Sequence, residues 1–256
     1  MCLIVFSYKT HPKYPFILAA NRDEFYKRPT APLHRWDTEP PIIAGKDEEA
    51  GGTWLGLTPD GRIGFLTNYR KISENKQNAP SRGQLVTDIL LSDEQPRKIM
   101  YELQKKSDKY NGFNLIGGYA NNLFYTSNRL SGVHKIEAGI HGISNALLNT
   151  SWPKTDRAKQ RFDRLLQAIE PDESEIFSML RDEKRFSSDQ LPDTGLPEEM
   201  EKAVSPIFIQ TPDYGTRCST LVKIDRENYA TIVEITYKNA TDKVKNSVRM
   251  ELQLKL

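Results

Sequence analysis

The sequence carries little net charge. The 36 lysine and arginine residues are balanced by 34 aspartate and glutamate residues, so the formal charge is only +2. Such a small charge provides no general field that would attract nucleic acid or an anionic membrane surface. We therefore expect no nucleic-acid partner, and any partner must be recognised at a local site.

Long apolar runs and cysteine are also scarce. Apolar stretches such as residues 3–6 and 16–20 are far shorter than the ~20 residues that a membrane-spanning helix needs. No basic segment followed by an apolar one opens the chain, as it would in a secretory signal. Two cysteines, Cys2 and Cys218, do not make a disulfide framework. We expect a cytoplasmic protein without membrane insertion.

Metal-binding patterns are missing as well. The four histidines are His11, His34, His134 and His141, and they show no ligand spacing with one another or with either cysteine. We expect no metal site and no cofactor.

Apolar patterning predicts runs of strands that are separated by pairs of helices. Strands are predicted over residues 2–8, 15–21, 53–58, 62–69, 113–119, 123–128, 139–145, 221–224, 229–237 and 248–254. Helix pairs are predicted over residues 83–107 and 153–184. Residues 25–41, which contain four prolines, and the polar residues 186–197 are predicted to be irregular.

This order of elements favours an α+β layered domain over an alternating parallel sheet. Two antiparallel sheets between two helical layers would satisfy it. Because no stretch has the composition of a linker, we expect one domain over residues 1–256.

Cys2 is the residue that points most directly to chemistry. It follows the initiator methionine, and a small side chain at this position ordinarily permits removal of Met1. The thiol would then have its own base, since an α-amino group with a pKa near ~8 can accept a proton from a thiol with a pKa of ~8.5. The plainer alternative is a small buried hydrophobic residue.

Three further segments accompany this cysteine and carry a resemblance. They are Asn-Arg-Asp-Glu at residues 21–24, Gly-Gly-Thr-Trp-Leu-Gly at residues 51–56 and Tyr-Gly-Thr-Arg at residues 214–217. With Cys2, these segments resemble the NRDE family, also called the transport and Golgi organisation protein 2 family. The resemblance implies an N-terminal nucleophile fold, a four-layer αββα sandwich, which agrees with the order of elements.

The NRDE family is similar, at greater distance, to the penicillin V acylase and bile-salt hydrolase group, whose members cleave amides with a thiol. On matching positions this similarity implies a catalytic set of Cys2, Asp23, Asn68, Asn145 and Arg217. The arginine that opens the acylase motif has no counterpart here, because Ala20 occupies its place.

Arg22 stands two residues beyond Ala20. On an extended strand Arg22 is expected to face away from Asn21 and Asp23.

These residue types suit attack on a carbonyl. Side-chain amides of Asn68 and Asn145 could stabilise the oxyanion, each by on the order of 3 kcal/mol. Asp23 could orient the amino group or thiol of Cys2, and Arg217 could favour its thiolate. The plainer alternatives are turn residues, a surface cap and a solvated charge.

A pocket for the acyl group would need further residues. Asn21, Arg22 and Trp54 are candidate substrate-binding residues, although an aromatic residue in a strand is more often part of a core. Cys218 is expected to be a buried structural thiol.

The sequence leaves two main classes of function open. The first is an N-terminal cysteine hydrolase that acts on a small non-peptide amide or thioester with an apolar acyl part. The second is a non-catalytic protein that binds or transports a hydrophobic ligand, such as a lipid, an acyl chain or haem, on the same fold. A third interpretation, a redox sensor, requires Cys2 and Cys218 to meet in space.

Overall fold

Two antiparallel sheets face each other in the structure, a computed structural model that describes residues 2–255. The first sheet has six strands. In spatial order these are β10 (Gly139–Ile143), β1 (Cys2–Tyr8), β2 (Phe16–Phe25), β11 (Tyr214–Ile224), β12 (Tyr229–Tyr237) and β13 (Val244–Gln253). The strand that begins at Cys2 therefore lies inside this sheet, paired on both sides.

The second sheet has seven strands, and they follow one another in chain order. They are β3 (Thr30–Arg35), β4 (Ile43–Asp47), β5 (Leu55–Leu57), β6 (Arg62–Asn68), β7 (Phe113–Tyr119), β8 (Asn122–Ser127) and β9 (Leu130–Lys135). Each is joined to the next as an antiparallel neighbour.

The predicted irregular segment 25–41 is only partly irregular, because it contains β3. Pro32 lies within this strand, which is possible because β3 is at the edge of its sheet and its register shifts between Ala31 and His34. Sequence patterning also missed β4 and β9, which are short and lack a long apolar run.

Aromatic rings fill the space between the two sheets. The ring of Phe6 on β1 lies 5.5 Å from that of Phe65 on β6 and 6.2 Å from that of Phe16 on β2. All three side chains are fully buried. Alternate residues of β1 and β2 that face the other way pack against helices instead.

Helices cover the outer face of each sheet, in agreement with the two helix pairs that the sequence predicted. On the second sheet lie α1 (Gly83–Leu91) and α2 (Pro96–Lys105), and on the first lie α3 (Pro153–Leu165) and α4 (Glu173–Leu180). Gly117 of β7 leaves room for the side chain of Ile89 on α1, whose Cδ1 would lie 2.5 Å from a Cβ added at this glycine. The layers are therefore helix, sheet, sheet and helix, an αββα sandwich.

The predicted surface loop 186–197 has little regular structure beyond one turn of 3-10 helix at Ser188–Gln190. It leads into a short helix, α5 (Glu198–Ala203). Within residues 2–255, no helix is long and apolar enough to span a membrane.

Candidate functional site

A cavity of about 950 Å³ opens at the end of the sandwich where β1 begins and where β2 and β6 end. Both sheets contribute to its wall: Cys2, Arg22 and Asp23 come from the first, Asn68 comes from the second, and Trp54 directly precedes β5. Five residues from the sequence-derived set therefore line one cavity.

Arg22 lies beside the thiol of Cys2. In the sheet Cys2 pairs with Arg22, and Arg22 pairs with Cys218 on β11, so the three side chains project from the same face. The Arg22 guanidinium is centred 4.3 Å from the Trp54 ring, and its Nη1 donates to Thr30 Oγ1 at 3.2 Å. Arg22 does face away from Asn21, as expected, and the thiol is on the Arg22 side.

The thiol of Cys2 is in a mixed electrostatic environment. Burial raises its pKa, and the Asp23 carboxylate raises it as well. The positive charge of Arg22 and a hydrogen bond from the Asp23 backbone act in the opposite direction and lower this pKa. Burial dominates, so the thiol is held in its protonated form more firmly than a free cysteine.

Asp23 is almost completely buried directly beyond Arg22. Its Oδ1 accepts a hydrogen bond from Thr216 Oγ1 at 2.7 Å, and its backbone oxygen accepts one from the Tyr214 hydroxyl at 3.0 Å. Burial raises the pKa of this carboxyl, whereas the positive charge of Lys154 lowers it. The carboxyl group is thus fixed close to the amino end of β1.

The two candidate oxyanion asparagines occupy different positions. Asn68, at the end of β6, lines the cavity. Asn145 is fully buried behind it, and its Nδ2 donates to the backbone oxygen of Asn68 at 2.9 Å. The neighbouring Ser144 donates its hydroxyl to the backbone oxygen of Cys2 at 3.1 Å. Asn145 therefore positions the strand end that carries Asn68.

Asn21 does not face the cavity. It lies on the helix side of β2, where its Nδ2 donates to the backbone oxygens of Leu180 at 2.8 Å and Ile207 at 2.9 Å. Its Oδ1 accepts a hydrogen bond from the Ser219 hydroxyl at 2.6 Å. These contacts use the side-chain amide to fasten a helix end to the sheet.

Arg217, like Asn21 and Asn145, is a predicted site residue that does not form part of the cavity wall. It occupies an irregularity in the pairing of β11 with β2, between Thr216 and Cys218. Its Nη1 donates to the backbone oxygens of Phe25 at 2.8 Å and Arg28 at 3.0 Å. These bonds hold the turn that follows β2.

Two cations near the thiol were not found from the sequence. Arg82 lies just before α1 and lines the cavity, where its Nη1 donates to the Gly112 backbone oxygen at 3.0 Å. Burial lowers the pKa of Arg82, and the negative charges of Glu24 and Cys2 raise it.

Lys154 is the second of these cations, and its side chain is buried at the start of α3. A lysine in the first turn of a helix usually indicates a solvated position, so the sequence carries no signal for its burial.

Apolar side chains form another part of the cavity wall. Ile72, Leu196, Met200 and Val204 line it, and Ile72 and Met200 are 41% and 52% exposed. This part of the wall is held by an ion pair of 2.8 Å between Arg70 Nη2 and Glu201 Oε2.

The two cysteines are too far apart to react with each other. They lie on β1 and β11 with β2 between them, so their backbones are roughly 10 Å apart. A disulfide needs Cα atoms within about 7 Å. Both cysteines are free and buried, which excludes the redox-sensor interpretation in this conformation.

Metal-binding clusters were also sought among the residues that the structure describes. Nowhere between residues 2 and 255 do three or more His, Cys, Asp or Glu side chains form a group that could hold a metal ion.

Solved structures with a similar fold include a variant of conjugated bile acid hydrolase from Clostridium perfringens. The TM-score is 0.53 at 9% sequence identity, over 98% of this chain and 92% of that chain. The fold is thus that of the N-terminal nucleophile hydrolases.

Sequence comparison gives a closer relationship. The chain is 35% identical over 261 residues to the transport and Golgi organization protein 2 homolog of Bos taurus, covering 91% of this chain and 92% of that protein. The Homo sapiens homolog is 33% identical over 258 residues, with 91% and 92% covered. The profile of the family Transport and Golgi organisation 2 matches residues 1–239, and the chain belongs to this family.

Proposed function

We propose that the chain is an N-terminal cysteine hydrolase that cleaves an amide or thioester next to an apolar acyl group. The observation that carries this proposal is the position of Cys2, which begins an interior strand, lines a large cavity and has an arginine on its own face of the sheet. The fold of the chain is similar to that of conjugated bile acid hydrolase, an enzyme named for hydrolysis. This similarity supports the same reaction class without fixing the substrate.

The proposed reaction has two steps. First, Sγ of Cys2 bonds to the substrate carbonyl carbon, and the amide nitrogen or thioester sulfur leaves with the proton that the thiol has lost. Water then attacks the acyl-cysteine, which releases the acid and returns a proton to Sγ. The α-amino group of Cys2 would carry the proton between these groups, and it is free only after removal of Met1.

Groups around the thiol suit this sequence of steps. Arg22 would offset the negative charge of the thiolate, which burial otherwise disfavours. Asn68 would donate its side-chain amide to the oxyanion from the opposite sheet. Asp23 would orient the amino group, since its carboxyl is fixed by Thr216 at that end of the strand.

The apolar part of the wall gives the reason for an apolar acyl group. Side chains such as Ile72 and Met200 are exposed at the cavity rather than buried in the core. An acyl chain in contact with them would remove their apolar surface from water, which is worth about 25 cal/mol per Å².

One observation favours the second class of function, a non-catalytic binding protein. Burial raises the pKa of the Cys2 thiol, which leaves less of the reactive thiolate near neutral pH. A protein that only holds a lipid, an acyl chain or haem in the same cavity would not need that thiolate.

A substitution of Cys2 distinguishes the two classes. The hydrolase proposal predicts that Cys2→Ala abolishes release of the acid from acyl amides or acyl thioesters of short, medium and long chains. The matched control Cys218→Ala removes the other buried thiol and should retain turnover, since Cys218 faces the core. Undiminished ligand binding with no turnover by the wild type would favour the binding protein instead.

The state of the amino end is tested separately. Intact mass measurement of the protein from its own cells should show that Met1 is absent. Full retention of Met1 would remove the proposed base.

The role of Arg22 is tested by the rate at which iodoacetamide alkylates Cys2. Arg22→Met should slow alkylation at about pH 7.5 by roughly three- to tenfold, which corresponds to about 0.5 to 1 unit in the thiol pKa. Arg217→Met is the matched control, because Arg217 contacts backbone oxygens of the turn after β2. Equal rates in the two variants would contradict a special role of Arg22.

A further inference from the structure

Lys154 is a buried lysine in a position that disfavours its charged form. Its side chain is 3% exposed, and it lies in the first turn of α3, where the helix dipole disfavours a cation. Nζ donates to the backbone oxygen of Val204 at 3.1 Å. This backbone oxygen is a neutral partner, which does not offset the charge of the buried ammonium.

The charged groups that surround Lys154 come from four different elements. Asp23 on β2 shares the helix side of the sheet with Lys154, and the charges of Cys2 on β1, Glu201 on α5 and Arg70 after β6 also act on it. Burial lowers the pKa of Lys154 to about 8; Arg70 also lowers it, whereas Asp23, Cys2 and Glu201 raise it. The anionic neighbours include the two groups that the hydrolysis would use.

We propose that Lys154 is a positioning residue that shifts the Cys2 and Asp23 pair toward its charged form from the helix side of the sheet. This inference rests on the proposed function, and it adds a member to that site which no sequence motif marks. The charge of a buried cation favours the carboxylate of Asp23 and the thiolate of Cys2 over their neutral forms, even without direct contact. Lysine is suited to this task since it can itself lose its proton when buried.

The direction of each effect follows from charge alone. Loss of the Lys154 charge should make the Cys2 thiolate less favourable, and so should deprotonation of Lys154 at higher pH. Loss of the Asp23 charge should have the opposite effect, because the carboxylate raises the pKa of the thiol.

The test is the pH profile of Cys2 alkylation by iodoacetamide, followed by peptide mass spectrometry without any substrate. Lys154→Met should slow alkylation at about pH 7 by roughly three- to tenfold, equivalent to about 0.5 to 1 pKa unit. Lys154→Arg, which stays charged, should react like the wild type at about pH 7 and several-fold faster at about pH 9, where the wild-type lysine is neutral.

Two further variants separate electrostatics from structural damage. Lys159→Met removes a partly exposed lysine from the same helix and should leave the profile unchanged. Asp23→Asn should accelerate alkylation of Cys2, whereas Lys154→Met should slow it. If the two substitutions only loosened the site, both would change the alkylation rate in the same direction. If Lys154→Met does not fold by circular dichroism, Lys154→Arg and Asp23→Asn still decide the matter.

Two results would overturn the inference: an alkylation rate in Lys154→Met within twofold of the wild type, or a ratio between Lys154→Arg and wild type that does not change with pH. Because alkylation needs no turnover, it can succeed in a protein that hydrolyses nothing. Failure of the proposed function would appear only in the hydrolysis assay.

Discussion

Asn21 and Arg22 are adjacent in the sequence, and their side chains project from opposite faces of the first sheet. Successive side chains of a strand face opposite ways, so Arg22 reaches the face of Cys2 and Asn21 reaches the helices. Arg22 contributes charge to the cavity. Asn21 contributes hydrogen bonds that join β2 to the end of α4 and to residue 207.

Replacement of Asn21 should therefore affect stability and spare the thiol. Asn21→Ala leaves two buried backbone oxygens and a hydroxyl without this partner, and we expect the free energy of unfolding to fall by about 2–4 kcal/mol. Urea unfolding measures this change. Asn246→Ala, an exposed asparagine on β13 of the same sheet, is the control and should change stability by less than about 0.5 kcal/mol. Slower alkylation of a folded Asn21→Ala would show that Asn21 acts on the site after all.

The buried ammonium of Lys154 predicts an unusual dependence of stability on pH. Its pKa in the folded protein is about 8 and its ordinary value is 10.5, so between these values the unfolded chain holds a proton that the folded chain has released. The free energy of unfolding then rises with pH. One pKa unit corresponds to about 1.4 kcal/mol, so the full rise is on the order of 3 kcal/mol.

Urea unfolding of the wild type and Lys154→Met at about pH 7.5, 8.5 and 9.5 isolates this contribution, since other titrating groups largely cancel in the difference. The wild type should gain on the variant as the pH rises. A constant difference would mean that the lysine does not titrate in this range.

At the scale of elements, α5 is joined to the rest of the molecule by a buried ion pair. The helix has six residues, too few to be stable alone, and Glu201 joins it to Arg70. The side chains of Arg70 and Glu201 are 6% and 5% exposed, and Glu201 also accepts a hydrogen bond from the Thr194 backbone at 3.1 Å. The apolar wall of the cavity is thereby held in place.

Removal of one partner should loosen this wall. Glu201→Leu takes the carboxylate away from a buried guanidinium and should cost about 3–5 kcal/mol, whereas Arg70→Met combined with Glu201→Leu should recover most of that loss. Urea unfolding gives the energies, and hydrogen exchange locates the change in α5. Glu199→Leu, at a side chain that is 87% exposed, should cost less than about 1 kcal/mol. Additive losses in the double variant would contradict the ion-pair account.

Elements differ in how far the sequence specifies them. The strands β1 and β2, the last four residues of β11 and the four main helices follow from apolar period, because each buries a face against a neighbour. The edge strand β3 does not, since its proline argues against a strand and only pairing with β4 supports it.

The same limit applies to the site. The order of the motifs predicted that Cys2, Asp23 and Asn68 share one site, and in the structure the three residues line one cavity. The burial of Lys154 could not be foreseen, because it depends on the backbone at Val204, fifty residues away in the chain.

At the scale of the whole molecule, the cavity exists because two sheets meet. Cys2 belongs to the first sheet, and Asn68 belongs to the second. Their separation is set by the aromatic core between the sheets, in which Phe6 and Phe65 meet edge to face with centroids 5.5 Å apart. Stability and site geometry are therefore coupled through this core.

The continuity of this core predicts that the chain unfolds as one unit. Phe65→Ala should lower the free energy of unfolding by about 3–5 kcal/mol, since it removes a large side chain that contacts both sheets. Far-ultraviolet circular dichroism reports both sheets, and tryptophan fluorescence reports Trp36, Trp54 and Trp152 together, of which Trp54 lies beside the cavity. The two urea transitions should coincide and shift together.

The matched control for Phe65→Ala is Phe25→Ala, because Phe25 is 50% exposed at the end of β2 and should contribute less than about 1 kcal/mol. Separate transitions for the two probes, with only one displaced by Phe65→Ala, would mean that the sheets fold independently. Stability and site geometry would then not be coupled through the core, because loss of the inter-sheet core could leave one wall of the cavity intact. Coincident transitions, in contrast, would show that both sheets, and the cavity that they form together, depend on this one core.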